Sequence, residues 1–400
     1  MIDTTNPSAP PEIHIRPDGT STCIELRLGD HGVSRLWIVP FTLRIGAATV
    51  RMDGIGGVGT EETHRNRGYS RRVLEAAVEH MQRGDAALSM LYGIRDFYPK
   101  FGYATAGPDH LVFLPDLRRD HTLPAGWTAS PFTAQDLPAV QALYAQNTAK
   151  ATGVAVRPAE GGVWANLLQG AEDPGKDSCR VVRGPDGVVH GYLWRARWCW
   201  YVRHVLETNY KDALALGEVM ADSPVSAAAV LAACRIWAEE EAAHRVVKQV
   251  VLAFPPEGPL AAAAMRQDAR FVRNYSACGG SMARVLSMTR LLEALLPELR
   301  ANVRAAHSAF TGSLVLHTEQ EAAALQITPE DVTLRAVEQA GKDALRISLP
   351  QFELARLALG AFPPADLLAR LPEPPSEPAQ SLLETLFPLR APHMYLPDRY

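Results

Sequence analysis

Val58-Gly59-Thr60-Glu61-Glu62-Thr63-His64-Arg65-Asn66-Arg67-Gly68-Tyr69-Ser70-Arg71 decides how the first third of the chain folds. Gly54-Ile55-Gly56-Gly57 leads into Val58-Gly59-Thr60 as a short, glycine-rich strand. Downstream, Val73, Leu74, Ala77, Val78 and Met81 recur at three- and four-residue steps. This predicts an amphipathic helix over 70–83, with Gly84 as its stop. Residues 86–91 then read as a buried strand. Strand, loop, helix and strand in that order predict a βαβ unit with parallel pairing.

The loop itself has a chemistry. Gly68 lets the backbone approach a ligand closely. Residues 66–71 enter the helix, whose unbonded N–H groups and positive dipole end favour a phosphate. Arg65, Arg67 and Arg71 add charge where a pyrophosphate would sit. The strand edge at Val58 and Thr60 offers N–H and C=O groups suited to an amide-bearing arm. Taken alone, the spacing Arg65-x-x-Gly68-x-Ser70 favours a plain βα turn with a solvated arginine cluster. Neither the Rossmann nor the Walker glycine pattern is present.

A second motif, Tyr92-Gly93-Ile94-Arg95-Asp96-Phe97-Tyr98-Pro99-Lys100-Phe101-Gly102-Tyr103, follows the buried strand directly. Pro99 disfavours helical geometry at Tyr98, so its phenol is expected to turn outward. Phe97 and Phe101 read as packing residues.

The rest of the chain divides by composition. Residues 1–21 are rich in Pro, Ser and Thr and read as a flexible lead-in. Ile24, Leu26 and Leu28 alternate with polar residues as a strand, and 36–39 and 41–50 read as further strands on either side of Pro40. The Pro-, Arg- and Asp-rich stretch 115–127 reads as a boundary. Thr133 and Asp136 form the spacing of a capping box before a helix marked by Leu137, Val140, Leu143 and Tyr144. Trp194, Trp198, Trp200 and Tyr201 are expected on one strand, as packing residues. Residues 225–243 read as a helix and 246–254 as a strand. A third region starts near Leu291, with strands at 314–316, 332–337 and 345–349 and helices at 352–359, 364–371 and 379–387.

The bulk numbers exclude several classes. At 400 residues, 47% hydrophobic and 21% charged, the chain suits two or three globular domains. A formal net charge of −4 leaves no basic surplus for a nucleic-acid backbone. The five cysteines are scattered without a C-x-x-C pair, and no histidine spacing suggests a metal ligand set. No apolar run reaches membrane length, and the N-terminus lacks a signal-peptide core. A cytoplasmic protein without nucleic-acid or membrane partners is expected.

Arg65-x-x-Gly68-x-Ser70 resembles the acetyl-coenzyme A signature of GNAT acetyltransferases, with Ser in place of the usual Gly or Ala. Residues 92–103 resemble the family's F-Y-x-x-F-G-Y/F segment. Nearly the whole chain resembles the enhanced intracellular survival (Eis) family, and Ser381-Leu382-Leu383-Glu384-Thr385-Leu386-Phe387-Pro388 and the aromatic last residue support this. The resemblance implies an α/β (α+β) fold: two tandem GNAT-like domains with mixed central sheets, at 22–120 and 121–288, followed by a sterol-carrier-protein-like α/β domain at 289–400. It implies acetyl-CoA as acetyl donor, no metal, and a primary amine acceptor of aminoglycoside, polyamine or lysine type. Its cofactor contacts fall on Val58, Gly59, Thr60, Arg65, Asn66, Arg67, Gly68, Tyr69, Ser70, Arg71, Gly93 and Ile94. Tyr98 takes the place of the acid, and the carboxylate of Tyr400 that of the base. A homo-hexamer is implied as well. Two departures stand out. The usual first strand and pair of helices are missing before Cys23, and the middle domain's loop, residues 220–226, lacks the Arg and Gly signature. The middle domain is therefore expected to bind no coenzyme A. The alternative is a lipid-binding or regulatory protein with an inactive GNAT module, which an open apolar tunnel between residues 300 and 390 would mark.

Overall fold

The period-two alternation seen after Cys23 starts well before it. In the computed structural model, which describes residues 10–115, 121–173, 175 and 177–400, β1 (Pro11–Asp18) pairs with β2 (Ser21–Leu28) along its whole length, from Pro11↔Leu28 to Asp18↔Ser21. Ile13 packs on the first core. The expectation of a flexible lead-in over 1–21 is corrected from residue 11 onward. Pro11 and Pro17 stand at the strand's ends, where a missing N–H is tolerated, and Gly19-Thr20 forms the two-residue hairpin turn, with Gly19 at a φ of 62°. Residues 1–9 of that lead-in and 116–120 of the expected boundary lie outside the described residues.

β3 (His31–Ile45) and β4 (Ala48–Thr60) form a long hairpin. Two strands were expected around Pro40, yet β3 runs through it. The pairing with β2 ends at Ile38, before Pro40 is reached. α1 (Tyr69–Arg83) buries Val73, Leu74, Ala77, Val78 and Met81, the predicted stripe. β5 (Leu88–Ile94) returns parallel to β4 and completes the predicted βαβ unit. β6 (Ala104–Thr105) follows.

A separate unit comprises Pro108–Tyr275 with Ala391–Arg399. Its elements are β7 (Asp109–Leu114), β8 (Thr128–Pro131), α2 (Leu137–Thr148), β9 (Thr152–Ala155), α3 (Gly162–Glu172), β10 (Cys179–Arg183), β11 (Val189–Trp194), α4 (Glu207–Asn209), β12 (Ala213–Leu216), β13 (Glu218–Ala221), α5 (Pro224–Ala242), β14 (Gln249–Leu252), α6 (Gly258–Met265) and β15 (Arg270–Asn274). Two sheets result, an antiparallel one ordered β13-β11-β10-β8 and a mixed one ordered β12-β14-β7-β15. The capping box forms as read, with Thr133 N donating to Asp136 Oδ2 at 2.9 Å. The aromatic run does not form one strand. β11 ends at Trp194, Ala196 takes a left-handed φ of 53° that turns the chain, and Trp198 and Trp200 are exposed.

The chain then rejoins the first unit. β16 (Cys278–Val285) pairs antiparallel with β5, giving the order β1-β2-β3-β4-β5-β16-β6. α7 (Met288–Ala305), β17 (Gly312–His317), β18 (Ala322–Ile327), β19 (Val332–Arg335), β20 (Leu345–Ser348), α8 (Gln351–Leu359), α9 (Pro364–Leu368) and α10 (Glu377–Leu386) complete it, with a sheet ordered β19-β18-β17-β20. By contacts, the first unit holds Met1–Gly107, Ser276–Arg390 and Tyr400. The stretch expected as one C-terminal domain, 289–400, is thus shared: Ala391–Arg399 group with the second unit. Among the described residues no helix is long and apolar enough to cross a membrane.

Within the second unit, His110 on β7 and His393 are buried with ring centroids 5.9 Å apart. Neither ring nitrogen of His393, nor Nε2 of His110, makes a well-formed hydrogen bond. Burial, followed by the charge of Arg273, pushes His110 down to about 4 despite Asp109 beside it. Burial, then His110 and Arg399, pushes His393 well below its ordinary value. Both rings are therefore neutral when folded and protonate more readily when unfolded. Their contribution is present above pH 6.5, the ordinary imidazole value, and is lost as pH falls toward 4. For His110 alone the difference is worth about 3 kcal/mol. Melting followed against pH should show the second unit weakening between 6.5 and 4, and His110→Gln should flatten that decline. An unchanged slope in the variant would exclude the histidine pair as its cause.

Candidate functional site

β4 and β5 pair only from Met52↔Leu88 to Ile55↔Leu91. Beyond that point β4 stays with β3 as far as Thr60, while β5 stays with β16 as far as Ile94. The two parallel strands separate and leave a gap at their carboxyl ends, where open α/β sheets bind ligands. A bulge marks the parting on β4. Trp37 opposes Gly56 and Arg35 opposes Gly59, so Gly57 and Val58 share a single partner position. A bulge releases backbone groups from the ladder and re-aims them. Ser34 pins the strand beyond it, donating to Gly59 O at 3.2 Å and sharing a 2.8 Å hydrogen bond with Thr60 Oγ1.

The loop then turns onto α1. Asn66 and Gly68 both adopt left-handed backbone, with φ of 63° and 79°. Gly68 is the residue before the helix, and having no side chain it offers no cap. The first N–H groups of α1 are left open to an anion. Arg67 and Arg71 are exposed and, among the described residues, have no ion-pair partner. Arg65 reaches back to Thr60 O at 3.4 Å, and Arg72 donates to Pro11 O at 2.8 Å. The predicted cofactor contacts Val58 to Thr60 and Arg65 to Arg71 thus form one continuous run from the strand gap to the helix mouth.

The last residue of the chain lies on β4. A Cβ at Gly54 would come within 2.3–2.7 Å of the Tyr400 ring, and one at Gly56 within 3.3 Å of the Tyr400 carboxyl carbon. Glycine at 54 is what leaves room for the ring, and a side chain at 56 would crowd the carboxyl group. Phe41 and Tyr92 flank the ring at centroid distances of 5.0 and 5.8 Å, and its hydroxyl lies 4.0 Å from Met52 Sδ. The terminal carboxyl group therefore stands over β4 at Gly56, where the strands part.

Tyr98 packs against β5. A Cβ at Gly93 would come within 2.3 Å of its ring, so Gly93 serves as a slot for that ring. Phe97 and Tyr103 meet it edge-on at 5.0 and 6.3 Å. The backbone expectation is corrected here: Tyr98 has φ −83° and ψ −18°, in the helical region. Pro99 opens a single helical turn, Pro99–Phe101, a position where its fixed φ and absent N–H fit. Burial, and then Cys278, pushes the phenol above its ordinary value. Ile94, at the end of β5, is half exposed. The sequence reading missed Phe41, Met52, Gly54, Gly56 and Tyr92 as the cradle of Tyr400. The spacing of Gly54 and Gly56, two apart and hence on one face of a strand, marked a bare patch there but not what would occupy it.

Residues 20–106 match the acetyltransferase (GNAT) domain. The matched segment holds the strand gap, the arginine loop, α1 and Tyr98. GNAT domains use acetyl-CoA as donor, and the match supports an acyltransferase enzyme. A search of curated proteins returns no match. Among solved structures, a GCN5-related N-acetyltransferase from Kribbella flavida is 20% identical with a TM-score of 0.66, covering 94% of this chain and 87% of that one. One from Anabaena variabilis is 18% identical with a TM-score of 0.70, covering 94% and 89%. Eis1 from Mycobacterium abscessus is 16% identical with a TM-score of 0.58, covering 96% and 92%. These three likenesses concern the mixed α/β fold.

Gly54→Ala tests the cradle. Forced overlap with the Tyr400 ring should lower stability by about 1–3 kcal/mol. In a Tyr400→Gly background the same change should cost much less, because the ring is gone. Equal costs in the two backgrounds, measured by denaturant titration, would show that Tyr400 does not rest on Gly54.

Proposed function

We propose that the protein is an acetyl-CoA-dependent N-acetyltransferase that moves the acetyl group directly to a primary amine of aminoglycoside, polyamine or lysine type. The observation that carries this reading is the pairing of a strand gap with an uncapped helix start flanked by Arg67 and Arg71, all inside the GNAT-matching segment. The diphosphate would rest on the N–H groups of 66–71, with its pantetheine arm along Val58 to Thr60 and its thioester in the gap.

The chemistry follows from proton inventories. An alkyl ammonium has a pKa of about 10.4, so the acceptor must lose a proton before it attacks. The Tyr400 carboxylate takes that proton, directly or through water. Nitrogen then adds to the thioester carbonyl, whose oxygen is polarised by backbone N–H near the bulge at Val58. The C–S bond breaks, and the thiolate receives a proton from the Tyr98 hydroxyl. The extra proton on the acylated nitrogen passes to the resulting phenolate through water, and the Tyr400 carboxyl releases its proton to solvent. A phenol raised by burial holds its proton until negative charge builds on sulfur.

The second unit takes no cofactor in this reading. Its comparable strand–helix junction, β13 to α5, is closed: Ser223 accepts from Ser226 N at 3.2 Å, and Ser226 Oγ accepts from Ser223 N at 2.9 Å. Ser226 also donates to Asp222 at 2.7 Å, which sets a carboxylate where a phosphate would bind. The lipid-binding alternative finds little support at the cavity lined by Leu295, Leu299, Leu357 and Leu386. That cavity measures about 10 Å³, room for one water, and the Glu298–Arg390 ion pair stands at its edge. The sterol-carrier-like C-terminal region and the homo-hexamer are carried by the resemblance to Eis proteins, and the cytoplasmic location by the cysteine usage and N-terminal sequence.

Calorimetric titration with acetyl-CoA tests the site. Arg67→Glu with Arg71→Glu should weaken binding by about 10- to 100-fold, and unaltered affinity would place the diphosphate elsewhere. Thiol release with a panel of amines tests the reaction. Tyr98→Phe should lower kcat by about 100-fold or more while acetyl-CoA affinity holds, and full turnover would remove Tyr98 from the acid role.

A further inference from the structure

The strand split recurs in the second unit. β12 runs parallel to β14 from Ala213↔Gln249 to Leu216↔Leu252. After Gly217 the chain leaves β14, and β13 pairs with β11 from Glu218↔Trp194 onward. Glu218, the first residue past the parting, is fully buried. It accepts from Arg157 Nη1 at 3.0 Å, from Arg157 Nη2, and from the Tyr192 hydroxyl at 2.7 Å. Arg157 turns its other edge to Asp398, donating from Nε at 2.8 Å and from Nη2 at 2.9 Å. The guanidinium lies 3.7 Å over the Tyr144 ring. The residues around Asp398 are held as well. His393 N donates to Thr152 O at 2.9 Å, and Cys199 Sγ to Leu396 O at 2.9 Å. Arg399 Nη2 donates to Asp109 at 2.6 Å, and Asp109 also accepts from Tyr201 at 2.7 Å.

Chain ends fray unless something ties them down. Here the tie is a buried guanidinium shared between a carboxylate of the unit's body and a carboxylate of the tail. Removing one member of such a set strands a charge in a dry interior, which is why the set acts as a clamp. We propose that Arg157 is a positioning residue. It bridges Glu218 and Asp398, so the parting of β12–β13 from β14, which takes no cofactor, holds the chain's own tail and fixes the backbone from which Tyr400 extends. The consequence for catalysis rests on the proposed role of the Tyr400 carboxylate. A carboxylate at the end of a loose tail samples many positions, and one on a fixed tail acts at high effective concentration.

The full-length protein serves for the test. Asp398→Asn breaks the tail's half of the clamp and leaves Arg157 with Glu218. A neutral triple variant, Arg157→Met with Glu218→Gln and Asp398→Asn, strands no charge and covers the case of a single variant that folds poorly. Hydrogen exchange of 391–399 should accelerate by about 100-fold or more in both, while β10 and β11 keep their protection. Turnover should fall with acetyl-CoA affinity unchanged, and Asp398→Glu should restore part of both properties. Tail protection at the parent level in both variants would overturn the proposal. So would a released tail with parent turnover, provided that adding one residue after Tyr400 abolishes turnover. If that extension is itself silent, the base role of Tyr400 fails, and exchange alone decides whether Arg157 is the clamp.

Discussion

Everything at the candidate site depends on where two parallel strands stop bonding to each other. β4 and β5 share four register positions, ending at Ile55↔Leu91. A strand that leaves its neighbour exposes backbone donors and acceptors that must find other partners. β4 meets part of that demand through β3 and a bulge, and β5 through β16, a strand recruited from residues 278–285. What remains is an opening lined by main chain, which suits a ligand made of amides and a polarised carbonyl. The helix that follows β4 starts from this opening, so the field of its first turn and the charge of Arg67 and Arg71 fall at one end of it.

The second constraint is steric. An aromatic ring with a free carboxylate can lie flat on a sheet only where the sheet has no side chains. Gly54 and Gly56 remove two successive side chains from one face of β4, and the Tyr400 ring and carboxyl group occupy that space. Gly93 does the same on β5 for Tyr98. Glycine lowers strand propensity and weakens packing, so three of them in the strands at the heart of a sheet stand against local stability. Their reason is the occupant: each admits a tyrosine bearing an ionisable group. Burial raises the phenol of Tyr98 above its ordinary value, and in the proposed reaction the carboxylate of Tyr400 is the complementary proton acceptor.

The sequence made some of this legible and hid the rest, for physical reasons. α1 and its buried stripe could be read because helical period is a local property, and the parallel return of β5 followed from handedness rules. The capping box at Thr133 and Asp136 was also local. The hairpin at β1 was masked because Pro11, Pro17 and Gly19 resemble a disordered lead-in unless Ile13 and Ile15 are weighed as an alternating face. Pro40 looked like a break because its cost depends on whether a neighbouring strand still runs beside it, which is a tertiary fact. β16 was out of reach: nothing near residue 280 says that its partner is Tyr92. The loop from Arg65 to Arg71 could be found by spacing. The cradle of Tyr400 required knowing that the last residue comes back to residue 54.

The two units carry the same strand geometry with opposite polarity, and this separates their roles. In the first, the parting is lined by glycines and followed by an uncapped helix start with the exposed Arg67 and Arg71. Such a surface attracts an anion and leaves room for it. In the second, the residue past the parting is a buried glutamate, the following helix is sealed by its own serines, and an aspartate stands before it. At this helix start Ser226 N is already bonded to Ser223 and Asp222 lies beside it, an arrangement less suited to a diphosphate than the open start of α1. Arg157 answers the charge of Glu218 from inside the protein, and its second face needs an anionic partner that the chain itself supplies at Asp398. Polar groups left unpaired in a folded core are costly. The tail supplies that partner at Asp398 and is tied further at His393 N and Leu396 O.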